Sequence, residues 1–334
     1  MSMDSDIPLL LSLLFIVGGL ALLAYSADMF VDASGRLARR YRLPPFIIGM
    51  VVIGFGTSAP ELAVSAISGV AGHSNLSLGN AYGSCVFNIA MILGAAALIR
   101  PLRVAVSVCR FAVPVLLAIT VYSFFIVRDG TFTRFDGAAL LALFAVILPL
   151  YCRYERKTGA AGADPAENGG ARGSAAGMWF GLVAGLVLLV ASSHVLVWGC
   201  VDFARDVIHA SDLLIGLTVV AAGTSLPELA SAVAAARRGE SEFVVGNIVG
   251  SNLFNMLAVV GIAGVISPFD GFSGYVVSRD LPAVLAVTIL LWVFGFNRRN
   301  RREPGCISRI EGAALIAVFL AYLATMILQE TARA

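Results

Sequence analysis

The chain has 334 residues, of which 59% are apolar and only 13% charged, with a formal net charge of +2 and a mean hydropathy of +0.89. A soluble domain of this size cannot hide so much apolar surface, a disordered chain is poor in apolar residues, and a near-neutral charge leaves no basic footprint for nucleic acid. The composition is that of a polytopic membrane protein.

A helix needs about 20 mostly apolar residues to cross a bilayer. The first such run follows Asp4 and Asp6, acids where a secretory leader carries cations, and no A-x-A cleavage site follows it, so it reads as a span. Segments of this kind lie at 8–27, 44–71, 76–99, 104–127, 134–152, 178–200, 212–236, 242–267, 280–297 and 309–329. The predicted fold is therefore all-α with ten transmembrane helices. The stretch Arg153–Gly177 has linker composition and divides them five and five, predicting halves at 1–152 and 178–334. The five cysteines are scattered without metal spacing and read as small packing residues.

Lys and Arg per loop set the orientation. With both termini outside, 18 basic residues face the cytoplasm and 5 face the other side. A multi-pass protein of the cell (inner or plasma) membrane is expected, with arginine-rich loops inside.

The second segment contains Gly56–Ala63, GTSAPELA, which recurs 167 residues later as GTSLPELA at Gly223–Ala230. The same offset superposes Leu78–Asn88 on Val245–Asn255, and 16 of the 39 positions from Gly56 to Gly94 match. Five spans per half is an odd number, so the two copies enter the membrane from opposite sides. Inverted repeats with broken helices build secondary transporters, with the site near the midplane. Close-packed glycines alone explain the Gly matches, but not a glutamate at the same place in both copies.

Glu61 and Glu228 lie deep in apolar segments, where an ionised group is costly unless it meets a cation. Pro60 and Pro227 each remove a helical N–H just before them, favouring an unwound turn whose carbonyls and whose Thr57, Ser58, Thr224 and Ser225 hydroxyls face a cavity. Asn80, Ser84 and Asn88 share one helix face at four-residue spacing, and Asn247, Ser251 and Asn255 repeat it. All of these are hard oxygen donors, which select Ca²⁺, Na⁺ or K⁺ over zinc or copper. Two carboxylates carry −2, filled by one divalent ion, several monovalent ions or protons, and mutually exclusive filling is the physical basis of exchange.

The paired GTSxPE and GNxxGSxxFN segments closely resemble the α-repeats of sodium/calcium exchangers of the cation/calcium exchanger superfamily, above all its prokaryotic ten-helix members. The first α-repeat spans about 44–99 and the second about 212–267. The resemblance implies a secondary-active antiporter, not an enzyme, that exchanges Ca²⁺ for Na⁺ by alternating access as the first and sixth helices slide. It implies Glu61 and Glu228 as the shared central carboxylates. It implies Thr57, Ser58, Ser84, Thr224, Ser225 and Ser251 as sodium ligands, together with the carbonyls near Gly54 and Ala221, and it places Asn88 and Asn255 at the middle of the site. No cofactor and no obligate protein partner are expected; the partners are the transported cations and the bilayer. Two positions depart from the pattern. Asn255 stands where several relatives carry Asp, which leaves the site at −2 and predicts exchange independent of K⁺. Cys85 replaces the usual Asn of GSN, and because it points off the Asn80–Ser84–Asn88 face it is expected to have little ionic consequence. A Ca²⁺/H⁺ exchanger is the nearest competing reading. A serine hydrolase at Ser58 or Ser225 is a remote one, because prolines stand where the elbow needs glycine and only His194 lies within a span.

Overall fold

The computed structural model describes residues 9–41, 43–70, 74–159, 174–206, 221–271, 274–297 and 303–331. It is predominantly helical, because a backbone in hydrocarbon must satisfy its own polar groups. In chain order the helices are α1 Leu9–Tyr41, α2 Pro45–Thr57, α3 Ala59–Val70, α4 Ser77–Ile99, α5 Val108–Val127, α6 Arg134–Gly159 and α7 Ala175–Asp206. There follow α8 Ala221–Gly223, α9 Leu226–Arg238, α10 Ser241–Ile266, α11 Val276–Gly295 and α12 Arg309–Thr331. Among the described residues, eight helices are long and apolar enough to span a membrane, and the bent pair α2–α3 makes a ninth. The seventh expected segment begins outside the described residues and appears from Ala221 as α8 and α9. Most of the linker also lies outside them.

The first and sixth helices are longer than the expected 8–27 and 178–200. α1 has 33 residues and α7 has 32; at 1.5 Å per residue each is about 50 Å long, well beyond a hydrocarbon core of about 30 Å. Hydropathy marks only the lipid-immersed part, whereas the helix continues into its basic end at Arg36, Arg39 and Arg40. There Asp32 pairs with Arg36 at 2.7 Å, and Arg238 of α9 reaches Asp28 and Asp32 at 3.4 Å each. α1 and α7 pack antiparallel along their length. Ser12 donates to Asp202 near one end, Ser26 and Ser192 meet at 3.4 Å, and Phe30 lies against Gly185.

The all-α expectation needs one addition. Two short antiparallel ribbons tie the halves together, β1 (Leu102–Val104) with β4 (Gly305–Ile307) and β2 (Thr131–Phe132) with β3 (Phe269–Asp270). They form in the loops between helices, where the apolar runs that mark the helices do not signal them. Cys306 lies exposed on β4 and so is not a packing residue, while Cys85 and Cys109 are buried.

The deepest core surrounds α4 and α10, which hold fully buried side chains such as Tyr82, Ile89, Val249 and Met256. Both helices widen into a π-helical turn at the repeat offset, Phe87–Ile92 in α4 and Phe254–Val259 in α10. Such turns are uncommon and gather at functional sites. α2 crosses α10 at glycines: a Cβ on Gly250 would stand 2.7 Å from the Met50 Cα, and one on Gly49 would stand 2.8 Å from the Phe243 carbonyl oxygen. Only hydrogen at these positions lets the two backbones approach so closely.

A carboxylate pair braced across the two halves

Each GTSxPE copy sits at a helix break. Ser58 leaves helical geometry at φ −83°, ψ 4° between α2 and α3, which are bent by 43°, and Ser225 does so at φ −96°, ψ 10° before α9. A proline in the first turn of the following helix needs no N–H partner, so the chain restarts there without loss. Glu61 and Glu228 then fall in the first turns of α3 and α9, where exposed helix N–H groups favour negative charge. Both side chains are fully buried.

Their partners come from the opposite half. Ser225 Oγ donates to Glu61 Oε1 at 3.0 Å, and Ser58 Oγ donates to Glu228 Oε1 at 3.0 Å. The two bonds are equivalent under the 167-residue offset. The second oxygen of each carboxylate, Oε2, is buried with no hydrogen-bond partner. The crossed bonds bring the two carboxylates to the same pair of helix breaks. A buried anionic oxygen left unpaired is costly, and a cation is the partner that would complete each of them.

The remaining predicted residues surround this pair. Ser84 Oγ lies 3.4 Å from Ser225 Oγ, and Ser251 Oγ donates to the Gly54 carbonyl at 3.3 Å. Gly54 O also accepts the Ser58 N–H at 3.1 Å and lies 3.4 Å from Thr57 Oγ1, so this carbonyl already meets three donors. Thr57 Oγ1 donates back to Ile53 O at 2.9 Å and keeps lone pairs to offer. Asn88 and Asn255 sit on the π-helical turns and are fully buried; Asn88 Oδ1 and both polar atoms of Asn255 lack partners. Ala221 opens α8, with Thr224 at the break that follows.

Asn80 and Asn247, expected on the polar faces as oxygen donors, act here through their amide nitrogens, while Ser65, Ser231 and Asn252 were not among the candidates. Asn80 Nδ2 donates to the Glu61 backbone carbonyl at 3.2 Å and to Ser65 Oγ at 3.2 Å; Asn247 Nδ2 does the same for the Glu228 carbonyl at 3.4 Å and Ser231 Oγ at 3.1 Å. These amides brace the helix turns that carry the acids. Ser65 and Ser231 differ by one place in the repeat, which hid their shared role. Asn252 Oδ1 accepts from Asn88 at 3.0 Å, and its Nδ2 donates to the Cys85 carbonyl at 3.4 Å.

A cavity of about 170 Å³ at the α2–α3 break is lined by Phe55, Ser58, Leu62, Phe144 and Phe254, and the surface it presents is apolar. Among the described residues no group of three His, Cys, Asp or Glu side chains is placed to hold a metal, so any cation here must take most of its ligands from neutral oxygens. Ser58 and Ser225 commit their hydroxyls to carboxylates, while His194 is exposed and bonds its own helix at Val190 O; that geometry does not build an acyl-transfer site.

Residues 11–151 and 177–328 match the family described as sodium/calcium exchanger protein. The inner membrane protein YrbG of Escherichia coli is 35% identical over 95% of this chain and 97% of its own length. The sodium/calcium exchanger MaX1 of Methanosarcina acetivorans is 25% identical over 94% and 97%. Among solved structures, the sodium-calcium exchanger NCX_Mj superposes with a TM-score of 0.79 at 31% identity, covering 94% of this chain and 98% of that one.

Proposed function

The chain belongs to the sodium/calcium exchanger protein family, and from that premise we propose that it exchanges Ca²⁺ for Na⁺ across the membrane at the Glu61–Glu228 pair, without K⁺. The observation that carries the reading is the crossed brace: each carboxylate is held through Oε1 by a serine of the other half and keeps Oε2 unpaired. In this reading the two Oε2 atoms supply −2 to one Ca²⁺. Asn88 and Asn255 add neutral oxygens, and the Thr57, Ser58, Ser84, Thr224, Ser225 and Ser251 hydroxyls with the Gly54 and Ala221 carbonyls hold Na⁺ when Ca²⁺ has left. Ca²⁺ takes six to eight oxygens in a flexible cage, and a mixed set of this kind suits it.

The reading carries an architecture with it. Ten spans form two inverted five-helix halves, 1–152 and 178–334, joined by the 153–177 linker, with both termini outside. The antiparallel packing of α1 and α7, equivalent helices of the two halves, supports the inversion. Their long parallel-sided contact suits a pair that slides as one body against the core.

Ion choice follows from charge. Asn88 and Asn255 are neutral, so Glu61 and Glu228 alone balance the cargo, and Ca²⁺ matches them without a companion cation. The test is initial ⁴⁵Ca²⁺ uptake into proteoliposomes at fixed membrane potential, with the pH gradient collapsed and K⁺ replaced by choline. Uptake driven by the Na⁺ gradient is expected to persist. Uptake that follows only a pH gradient would make the protein a Ca²⁺/H⁺ exchanger, and loss of uptake without K⁺ would refute the charge argument.

A further inference from the structure

The two halves differ at one place beside the pair. Under the 167-residue offset Cys85 corresponds to Asn252, and Asn88 to Asn255. The two helices meet at these residues: Asn252 Nδ2 donates to Cys85 O at 3.4 Å, and Cys85 Sγ lies 3.9 Å from Asn252 O. Asn252 also accepts the Asn88 amide through Oδ1 at 3.0 Å. With its Nδ2 held, Asn88 has a fixed orientation, and its Oδ1 is the atom left without a partner.

The repeat operation sets Asn255 against residue 85 as it sets Asn88 against residue 252, and α4 does pack against the π-helical turn that carries Asn255. A thiol has no carbonyl oxygen to accept an amide N–H. Asn255 is accordingly the one amide of the three whose Nδ2 and Oδ1 both lack partners, although it is fully buried. We propose that Cys85 is a positioning residue that leaves the Asn255 amide free to turn toward or away from the cargo ion, while Asn252 holds Asn88 permanently toward it. One half of the site then offers a preorganised amide oxygen and the other an adjustable one. A fixed ligand binds more tightly because its ordering cost is met in advance; an adjustable ligand weakens Ca²⁺ binding and hastens release.

The inference rests on the exchange reading, and the experiment separates the two. Cys85→Asn gives residue 85 the acceptor that Asn252 provides; Cys85→Ala gives none. In ion-free detergent, Cys85→Asn is expected to melt above wild type, and this gain is expected to vanish in an Asn255→Ala background. In vesicles, Cys85→Asn is expected to lower the KM for Ca²⁺ by about two- to tenfold, the worth of one neutral hydrogen-bonded ligand, and to lower the maximal rate. Cys85→Ala keeps the wild-type KM. The reciprocal variant Asn252→Cys frees Asn88 and raises KM, which keeps the test decisive should Cys85→Asn not fold. The proposal is overturned if Cys85→Asn and Cys85→Ala shift KM alike, if the Cys85→Asn effect persists without the Asn255 amide, or if Asn252→Cys leaves KM unchanged. Wild-type vesicles that take up no Ca²⁺ under any gradient overturn the exchange reading instead, and the ion-free melting comparison then decides alone whether residue 85 governs Asn255.

Discussion

In the proposed function the charge rests on two glutamates, each fully buried and each with one oxygen unpaired. Glu61→Gln and Glu228→Gln keep size and hydrogen-bonding shape but halve the charge available to a dehydrated Ca²⁺. Removing one partner of a buried charge pair costs about 3 kcal/mol or more, so each variant should lower Ca²⁺ exchange at least about 100-fold while the protein still inserts. Near wild-type ⁴⁵Ca²⁺ uptake by either would remove that residue from the site. Protons compete for the same oxygens, so Ca²⁺ exchange should fall as pH is lowered and return when it is raised; a pH-independent rate down to about pH 5, close to the ordinary carboxylate range, would argue against a carboxylate pair. Asn255→Asp adds a third acid and should introduce a dependence on K⁺ or a steeper acid sensitivity, read as the uptake rate with K⁺ replaced by choline.

At the scale of elements, the site exists because helices break and cross at set places. Proline, glycine and hydroxyl residues in GTSxPE announced the break at Ser58 and Ser225, and the four-residue spacing of Asn80, Ser84 and Asn88 announced the polar face of α4. The partner of each carboxylate was not legible, since the Ser225–Glu61 and Ser58–Glu228 bonds join residues 164 and 170 apart in the chain. Nor were the π-helical turns, which shift Asn88 and Asn255 without changing the apolar pattern. The crossing of α2 and α10 depends on contacts that only a folded backbone reveals. Gly250→Ala would drive a methyl group into the Met50 backbone; overpacking of this kind costs about 1–3 kcal/mol. A lowered melting temperature and reduced uptake are expected, whereas a wild-type melting curve would show that α2 and α10 separate freely.

For the whole molecule, composition revealed the membrane class and the 167-residue offset revealed the duplication, because Gly, Ser, Pro, Glu and Asn matches stand out against an apolar background. The full lengths of α1 and α7 stayed hidden, since their ends are polar and carry no hydropathy signal. The inverted arrangement predicts opposite exposure of equivalent loops. Single cysteines at Ser74 or Asn75, in a protein freed of its native cysteines, should react with impermeant thiol reagents from outside, and ones at Gly239 or Glu240 only from inside. Reaction of both loops from one side would contradict the inversion. The central claim, that one carboxylate pair serves both ions in turn, is tested most directly by equilibrium binding of ⁴⁵Ca²⁺ to the purified protein with Na⁺ as competitor. A single Ca²⁺ bound per chain, displaced by Na⁺ but not by choline and lost in Glu61→Gln and Glu228→Gln, is the predicted result; Ca²⁺ that stays bound at saturating Na⁺, or that binds both variants as it binds wild type, would contradict it.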